Sequence, residues 1–370
     1  MVVIGRNCIK MKKGKIKVFH VVTSLDLGGA VSVAANIASS KNKDYEYHII
    51  ELSRESGLFS HDLLSDLDKK GVAYHRSLFS NRKIGIILFP FWFLFIFLRY
   101  IPDVIHTHAE ASNFSVFLFY ILFGWLFKKT KYVRTLHNTI LWSEWEWIGK
   151  IVEPFYLAHH SNVAISKSVQ LSYPKFDVDF PPIIYNGVAE VEQRSFPGID
   201  ETKINVLFAG RLEYQKGIDE LIEVIKRCAT ISNIKFCIIG SGSYYSRLEE
   251  SVLGLENVNY REKIYGLSSY LSSFDYLFMP SNFEGLGLMS IEASLAMVPS
   301  IINICPGLWE TLPEDWPLKV NKNSVEEYME IFRNLESYDK KELGLIAYNF
   351  AKEKFSIEKM QREYEKFYML

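Results

Sequence analysis

Two glutamates eight positions apart, Glu284 and Glu292, stand in the segment Asn282–Ala293, NFEGLGLMSIEA. The segment follows an apolar run, Tyr276–Pro280, that reads as a strand, and it leads into a helical stretch, Leu288–Met297. Gly285 and Gly287 therefore fall in a strand-to-helix turn, where a missing side chain lets backbone approach a ligand closely. The first amides of a helix have no intrahelical partner and carry the positive end of its dipole. The backbone at Leu286, Gly287 and Leu288 thus suits an anion, phosphate best of all. Two carboxylates beside a phosphate repel it unless they hold hydroxyl groups, and sugar and ribose hydroxyls are the natural partners. The plain alternative is a glycine-rich helix start with two surface glutamates.

A second group, GRLEYQKG at Gly210–Gly217, comes just after another strand, Ile204–Ala209. Arg211 and Lys216 put a planar fork and a point charge on one tight loop, a combination that grips a diphosphate. Read alone, they are equally compatible with solvated loop charges. Gly28-Gly29, after the first strand, can close a backbone nest on phosphate. Gly240-Ser241-Gly242 starts like a dinucleotide fingerprint but has Tyr245 where the third glycine belongs. His137 ends a strand, at the edge of a parallel sheet where ligands bind. His106 and His108 form HTH at the end of another strand and are expected on its two sides, one toward the cleft and one inside. With no third ligand evident nearby, no metal is expected there. Asp177-Val178-Asp179 mimics a D-x-D metal motif and reads as loop charge.

These groups need elements to position them. Lys15–Thr23 reads as a strand, followed by the glycines and a helix at Val31–Ser40, which is the opening of a parallel α/β domain. Tyr45–Leu52, Asp103–His108, Lys131–His137 and Asn162–Ser166 read as further strands, and Phe180–Asn186 with Gly187 closes the first half. Glu190–Lys203, polar and holding Pro197 and Gly198, reads as a linker. The pattern then restarts, with strands at Ile204–Ala209, Lys235–Ile239, Tyr276–Pro280 and Pro299–Ile304 and helices at Ile218–Ala229 and Tyr244–Val252. The expected fold class is α/β: two doubly wound, Rossmann-like domains facing across a cleft. The expected layout is an N-terminal extension (1–14), a first domain (15–187), a linker (188–203), a second domain (204–350) and a C-terminal helix (351–370) returning to the first domain.

Composition supports two cores. A chain of 370 residues exceeds what one hydrophobic core usually serves, and 48% apolar residues exclude a disordered or fibrous chain. Lys and Arg number 42 against 43 Asp and Glu, which speaks against nucleic acid as a partner. The charge is uneven: residues 1–185 carry 22 basic and 15 acidic residues, and residues 186–370 carry 20 and 28. Four cysteines without C-x-x-C fit a reducing compartment, and the first 15 residues lack the apolar stretch of a signal peptide. Ile84–Leu98 and Phe114–Phe127 run 15 and 14 residues without a charge. A spanning helix needs about 20, so both are expected as buried or interfacial helices. The two runs hold thirteen aromatics, Trp92 and Trp125 among them, with Arg82, Lys83, Arg99, Lys128, Lys129 and Lys131 at their flanks. Apolar bodies with basic rims suit an anionic membrane surface; helices packed on the first sheet fit the same pattern.

In these segments the chain resembles glycosyltransferase family 4, the retaining sugar-nucleotide transferases of GT-B fold, over roughly residues 16–370. The resemblance is carried by KVFHVVTSLDLGGA, PDVIHTHAEAS, VRTLHNT, NVAISKSV, IYNGV, VLFAGRLEYQKG, FCIIGSGS and MPSNFEGLGLMSIEA, with the E-x(7)-E pair downstream of GR-x(4)-KG. It implies that Arg211 and Lys216 bind the diphosphate, Glu284 reaches the donor sugar, Glu292 holds the ribose, Gly29 admits phosphate and His137 lies near the donor sugar. It also implies a UDP- or GDP-linked sugar as substrate, no cofactor and no metal. The acceptor expected is a lipid-linked or nascent surface glycan, such as O-antigen or capsule, met by a cytoplasmic enzyme peripheral on the inner face of the plasma membrane. Met297 and Glu262 stand where the family usually has glycine, which bears on recognition of the donor base. Other readings on this fold are a sugar-nucleotide epimerase or phosphorylase, or a non-catalytic glycan-binding relative.

Overall fold

The structure is a computed structural model that describes residues 14–26, 28–173, 180–231 and 233–370. Most of the N-terminal extension and the Asp177–Asp179 motif lie outside the described residues. The first domain alternates β1 (Ile16–Val22), α1 (Gly29–Ala38), β2 (Tyr45–Glu51), α2 (Leu58–Lys70), β3 (Ala73–His75), α3 (Arg82–Tyr100), β4 (Val104–Thr107), α4 (Glu110–Phe123), β5 (Lys131–Leu136), α5 (Glu146–Ala158), β6 (Asn162–Ala164) and α6 (Lys167–Ser172). The second has β7 (Ile204–Ala209), α7 (Ile218–Cys228), β8 (Ile234–Ile239), α8 (Tyr245–Val252), β9 (Val258–Arg261), β10 (Tyr276–Met279), α9 (Leu288–Leu295), β11 (Ser300–Asn303), β12 (Lys319–Val320), α10 (Val325–Arg333) and α11 (Lys340–Lys354); α12 (Ile357–Met369) follows.

Both sheets are parallel throughout and wound alike. The first runs β3-β2-β1-β4-β5-β6 and the second β12-β11-β10-β7-β8-β9, the same order when each is counted from its own first strand. Each order reverses once, between β1 and β4 and between β7 and β10. Ligands of doubly wound sheets bind beyond the carboxyl ends of strands at such a reversal. The loops there carry Gly28-Gly29, His108, Arg211–Lys216 and Asn282–Gly287.

Alternation along β1 sorts the first core into two layers. Phe19 and Val21 pack with α3, α4 and α5, whereas Val18 and Val22 pack with α1 and α12. In α7, buried Ile218, Leu221, Ile222, Ile225 and Cys228 recur at helical spacing, with Asp219 and Glu220 in the first turn and Lys226 and Arg227 in the last, each charge set complementing the dipole. The region Phe180–Asn186 forms no strand; it touches the sheet through one bridge, Ala164 to Ile183.

The first apolar run departs from expectation. α3 is 19 residues long, with a mean hydropathy of 1.7, and is long and apolar enough to cross a membrane. The helix passes through Pro90, which has no N–H to give the carbonyl of Ile86; the Ser115 hydroxyl lies 3.3 Å from that carbonyl and shares its hydrogen with the Ala111 carbonyl at 2.9 Å. Asn81 caps the helix by accepting from the amides of Lys83 and Ile84. One side of α3 (Ile86, Phe89, Phe93, Phe97) is buried, while Ile84, Ile87, Leu88, Phe91, Phe95 and Leu98 are exposed on the other. Phe91 meets Phe123 of α4, beyond which Ile121, Leu122, Trp125 and Leu126 are also exposed. Two expected members of this rim serve the interior. Trp92 is half-buried against Phe89, and Lys131 donates to the backbone oxygen of Phe367 and lies over its ring.

α12 crosses back to the first domain. Tyr364 and Tyr368 are buried there, with hydroxyls 2.7 Å from Thr135 Oγ1 and 2.8 Å from His106 Nδ1, and Glu365 accepts from Ser40 and Asn42. A β-carbon at Gly187 would lie 2.6 Å from Ile357 Cα, so glycine is required where the two crossing segments meet.

Candidate active site

A cavity of about 770 Å³ lies between the domains, walled by the four loops at the reversal points. On the second domain the loop Gly210–Gly217 is held from below. Gly240 and Gly242 are where β-carbons would strike the carbonyls of Gly210 and Leu212, at 1.8 and 2.3 Å. The Gly240-Ser241-Gly242 turn is thus a support for the cation loop rather than the start of a dinucleotide fingerprint. Gly217, at φ +66°, presses on the carbonyl of Pro280 and joins this loop to the one after β10.

Arg211 is exposed on that loop, and its Nη2 donates to Gln215 Oε1 at 2.7 Å. Gln215 in turn donates to the backbone oxygen of Phe283 and to Glu284 Oε2. Lys216 Nζ lies 2.5 Å from Glu284 Oε1, which also accepts from Ser281 Oγ at 2.8 Å. Glu284 is buried, so its charge is matched by Lys216 and by hydrogen bonds rather than by water. Gln215, which sequence reasoning missed, links Arg211 to the carboxylate that Lys216 holds directly. Glu292, one turn into α9, accepts from Ser268 Oγ at 2.7 Å, and burial pushes its carboxyl above the usual range. Leu286, Gly287 and Leu288 form the start of α9, with Gly287 left-handed at φ +58° as its cap. All of them border the cavity, as do Gly28 and Gly29 opposite; a β-carbon at Gly29 would be 3.4 Å from Leu288 Cδ1.

His137 enters from the first domain, and its backbone oxygen faces Gly285. His106 and His108 lie on the same side of β4, as two residues of equal parity must, with ring centroids 4.2 Å apart. The expectation of opposite sides was wrong. A third histidine also exists: His20 on β1 completes a group whose nitrogens lie within 4.8 Å of one another. These nitrogens bond to each other and to neighbours: His20 to His108, His108 to His137, and His106 to Tyr368 and Thr135.

Carboxylates of each domain reach across to the other. Glu310, buried after β11, accepts from the amides of Lys167 and Ser168 and from the Ser168 and Tyr185 hydroxyls, so a residue of the second domain caps α6 of the first. Tyr265 donates to Asp66 Oδ2 of α2 at 2.5 Å, across the far end of the cavity. Neither had a sequence signal beyond its type. Met297 does not border the cavity; it ends α9 in the left-handed region at φ +59°, which explains the glycine usual there. Glu262 is likewise off the cavity wall, although Lys263 and Ile264 are on it. Arg82, Lys83, Lys128 and Lys129 are exposed beside the apolar face of α3 and α4.

Residues 27–190 match the family model described as Glycosyltransferase Family 4, and residues 190–349 match Glycosyl transferases group 1. An uncharacterized 41.2 kDa protein in the cps region of Klebsiella pneumoniae is 27% identical, over 95% of this chain and 99% of its own length. The capsular polysaccharide biosynthesis glycosyltransferase CapH of Staphylococcus aureus is 23% identical over 75% of this chain and 78% of its own. Among solved structures, Anabaena Alr3699/HepE in complex with UDP-glucose superposes with a TM-score of 0.78 at 15% identity, covering 96% of this chain and all of that one. S. aureus TarM, in a mutant bound to UDP and alpha-GlcNAc-glycerol, gives 0.77 at 14% over 95% and 99%. With one family model on each half and both solved folds matched end to end, the chain is a glycosyltransferase of the GT-B fold, family 4 in its first domain and group 1 in its second.

Proposed function

We propose that the chain is a retaining, metal-independent hexosyl- or N-acetylhexosaminyl-transferase that moves a sugar from a UDP- or GDP-linked donor to a lipid-linked or nascent surface glycan. One observation carries the reading. Arg211, Lys216 and the start of α9 converge on one wall of the cavity, beside a buried carboxylate, Glu284, that pairs directly with Lys216 and is tied to Arg211 through Gln215. That wall offers a diphosphate two cations and free helix amides, and it offers the attached sugar a carboxylate for its hydroxyls. As the bond from the anomeric carbon to the phosphate oxygen breaks, its electron pair goes to the diphosphate, and these groups stabilise the charge that develops there. The acceptor hydroxyl adds on the face the phosphate is leaving, and its proton passes to that phosphate, so configuration is kept. Glu284 orients the sugar, Glu292 holds the ribose, and closure of the first domain excludes water.

The capsule-related relatives favour a surface glycan as acceptor. The exposed stripe of α3 continues onto the end of α4, with Arg82 and Lys83 at one end and Lys128 and Lys129 beside the other. That favours peripheral attachment to an anionic cytoplasmic membrane face, where each basic residue adds about 1 kcal/mol. The test is release of nucleoside diphosphate from a panel of sugar nucleotides, with and without lipid extract and with EDTA, followed by NMR of the product anomer. Inversion of configuration, or loss on chelation restored by Mn²⁺, overturns the mechanism. Flotation with anionic vesicles tests the attachment, which charge reversal at Arg82, Lys83, Lys128 and Lys129 should abolish.

A further inference from the structure

The first domain buries a row of imidazoles that ends at the cleft. His20 stands within β1, and His108 and His137 directly follow the neighbouring strands β4 and β5. His20 Nδ1 lies 2.9 Å from His108 Nε2, and His108 Nδ1 lies 3.3 Å from His137 Nε2. Burial keeps all three neutral at pH 7: it lowers His137 to about 4 and His20 to about 3, and it takes His108 well below the usual range. A neutral imidazole has one N–H and one lone pair. A ring bonded through both nitrogens to two other imidazoles must therefore pass polarity along. If His108 accepts at Nε2, it donates at Nδ1, and the reverse holds as well.

The inner end of the row decides which. His20 Nε2 is buried and has no partner among the described residues. In one polarity it is a bare lone pair; in the other it is an N–H without an acceptor, the rarer orphan in folded proteins. The hydrogen therefore sits on Nδ1 of His20 and on Nδ1 of His108, and His137 accepts at Nε2.

We infer that His20 and His108 are positioning residues that fix the tautomer of His137, so that this cavity-lining ring meets the substrate with Nδ1–H, a hydrogen-bond donor. The role toward a sugar rests on the transferase reading above; the tautomer itself does not.

The test is a long-range ¹H–¹⁵N correlation spectrum of the full chain labelled with ¹⁵N-histidine, with His137 assigned by the signals lost in His137→Gln. The expected result is a neutral ring protonated at Nδ1 for both His108 and His137. Protonation of His137 at Nε2 overturns the inference, whatever the activity. His108→Phe should leave His137 exchanging between tautomers and lower turnover about tenfold, the scale of one hydrogen bond, with little change in donor KM. His108→Gln, whose amide can accept from His20 and donate to His137, should restore both the Nδ1–H signal and the rate. A shifted tautomer with unchanged turnover would remove the positioning role.

Discussion

A β-carbon on Gly285 would lie 2.0 Å from the backbone oxygen of His137. The loop that opens α9 rests directly on the first domain, with no room for a methyl group, and Ser166 Oγ donates to the Gly285 carbonyl at 2.7 Å from the same side. Gly285→Ala should therefore hold the domains apart. Turnover is expected to fall at least about tenfold, the effect of misplacing groups by an ångström, with each domain still folded. Small-angle scattering with nucleotide present should show a more open particle than the wild type; an unchanged particle with full turnover would refute the closure.

Arg211→Ala and Lys216→Ala should both lower turnover at least about tenfold, since each removes a charge-assisted contact of roughly 1.5–3 kcal/mol. Their stabilities should differ. Arg211 is exposed and touches Gln215, so its loss leaves the urea midpoint in place. Loss of Lys216 strands the buried Glu284 and should cost about 1–3 kcal/mol.

Glu284→Gln keeps the shape and removes the charge at the donor sugar, so turnover should suffer more than nucleotide affinity. Glu292→Gln should weaken UDP or GDP itself, because ribose is common to substrate and product. Calorimetric titration of both variants decides; equal losses of nucleotide affinity would undo the division of roles.

Met297→Gly should stabilise the chain by about 0.5–1 kcal/mol, because a left-handed residue with a side chain pays a steric cost that glycine avoids. Nucleotide affinity should not change, since Met297 is off the cavity wall.

Stability should fall as pH drops from about 6.5 toward 4. In the unfolded chain histidine binds a proton near 6.5, whereas the folded chain holds His20 neutral down to about 3. The unfolded state therefore takes up more protons in this window, and each such histidine costs about 1.4 kcal/mol per pH unit at most. His20→Phe should give a shallower slope in urea titrations at pH 7 and pH 5.

The glycine loops were legible because their reason is local. Gly285, Gly287 and Gly217 sit where a strand must turn sharply into a helix, and the residue type records the turn. The alternation of strand and helix likewise recorded two doubly wound domains. What stayed hidden depends on distant partners. Glu310 is one acidic residue after a strand, and only the packed domains show that it caps α6. His20 lies inside an ordinary strand, Lys17-Val18-Phe19-His20, and β4 must pair with β1 before it meets His108. Composition places Trp92 and Lys131 on a surface, but rotation of α3 and the return of α12 leave both half-buried. The helices α2, α5, α6, α10 and α11 and the short strands β3, β9 and β12 have no reading in the sequence.

The return of α12 also bears on the order in which the protein can fold during synthesis. Tyr364 and Tyr368 supply the hydroxyls that satisfy Thr135 and His106 in the first domain. Those residues leave the ribosome only after the whole second domain has been made. Until then Thr135 and His106 keep their bond to each other but lack those two hydroxyls, and the apolar face of α1 that α12 covers is open, so the domain made second is free to reach its native state first.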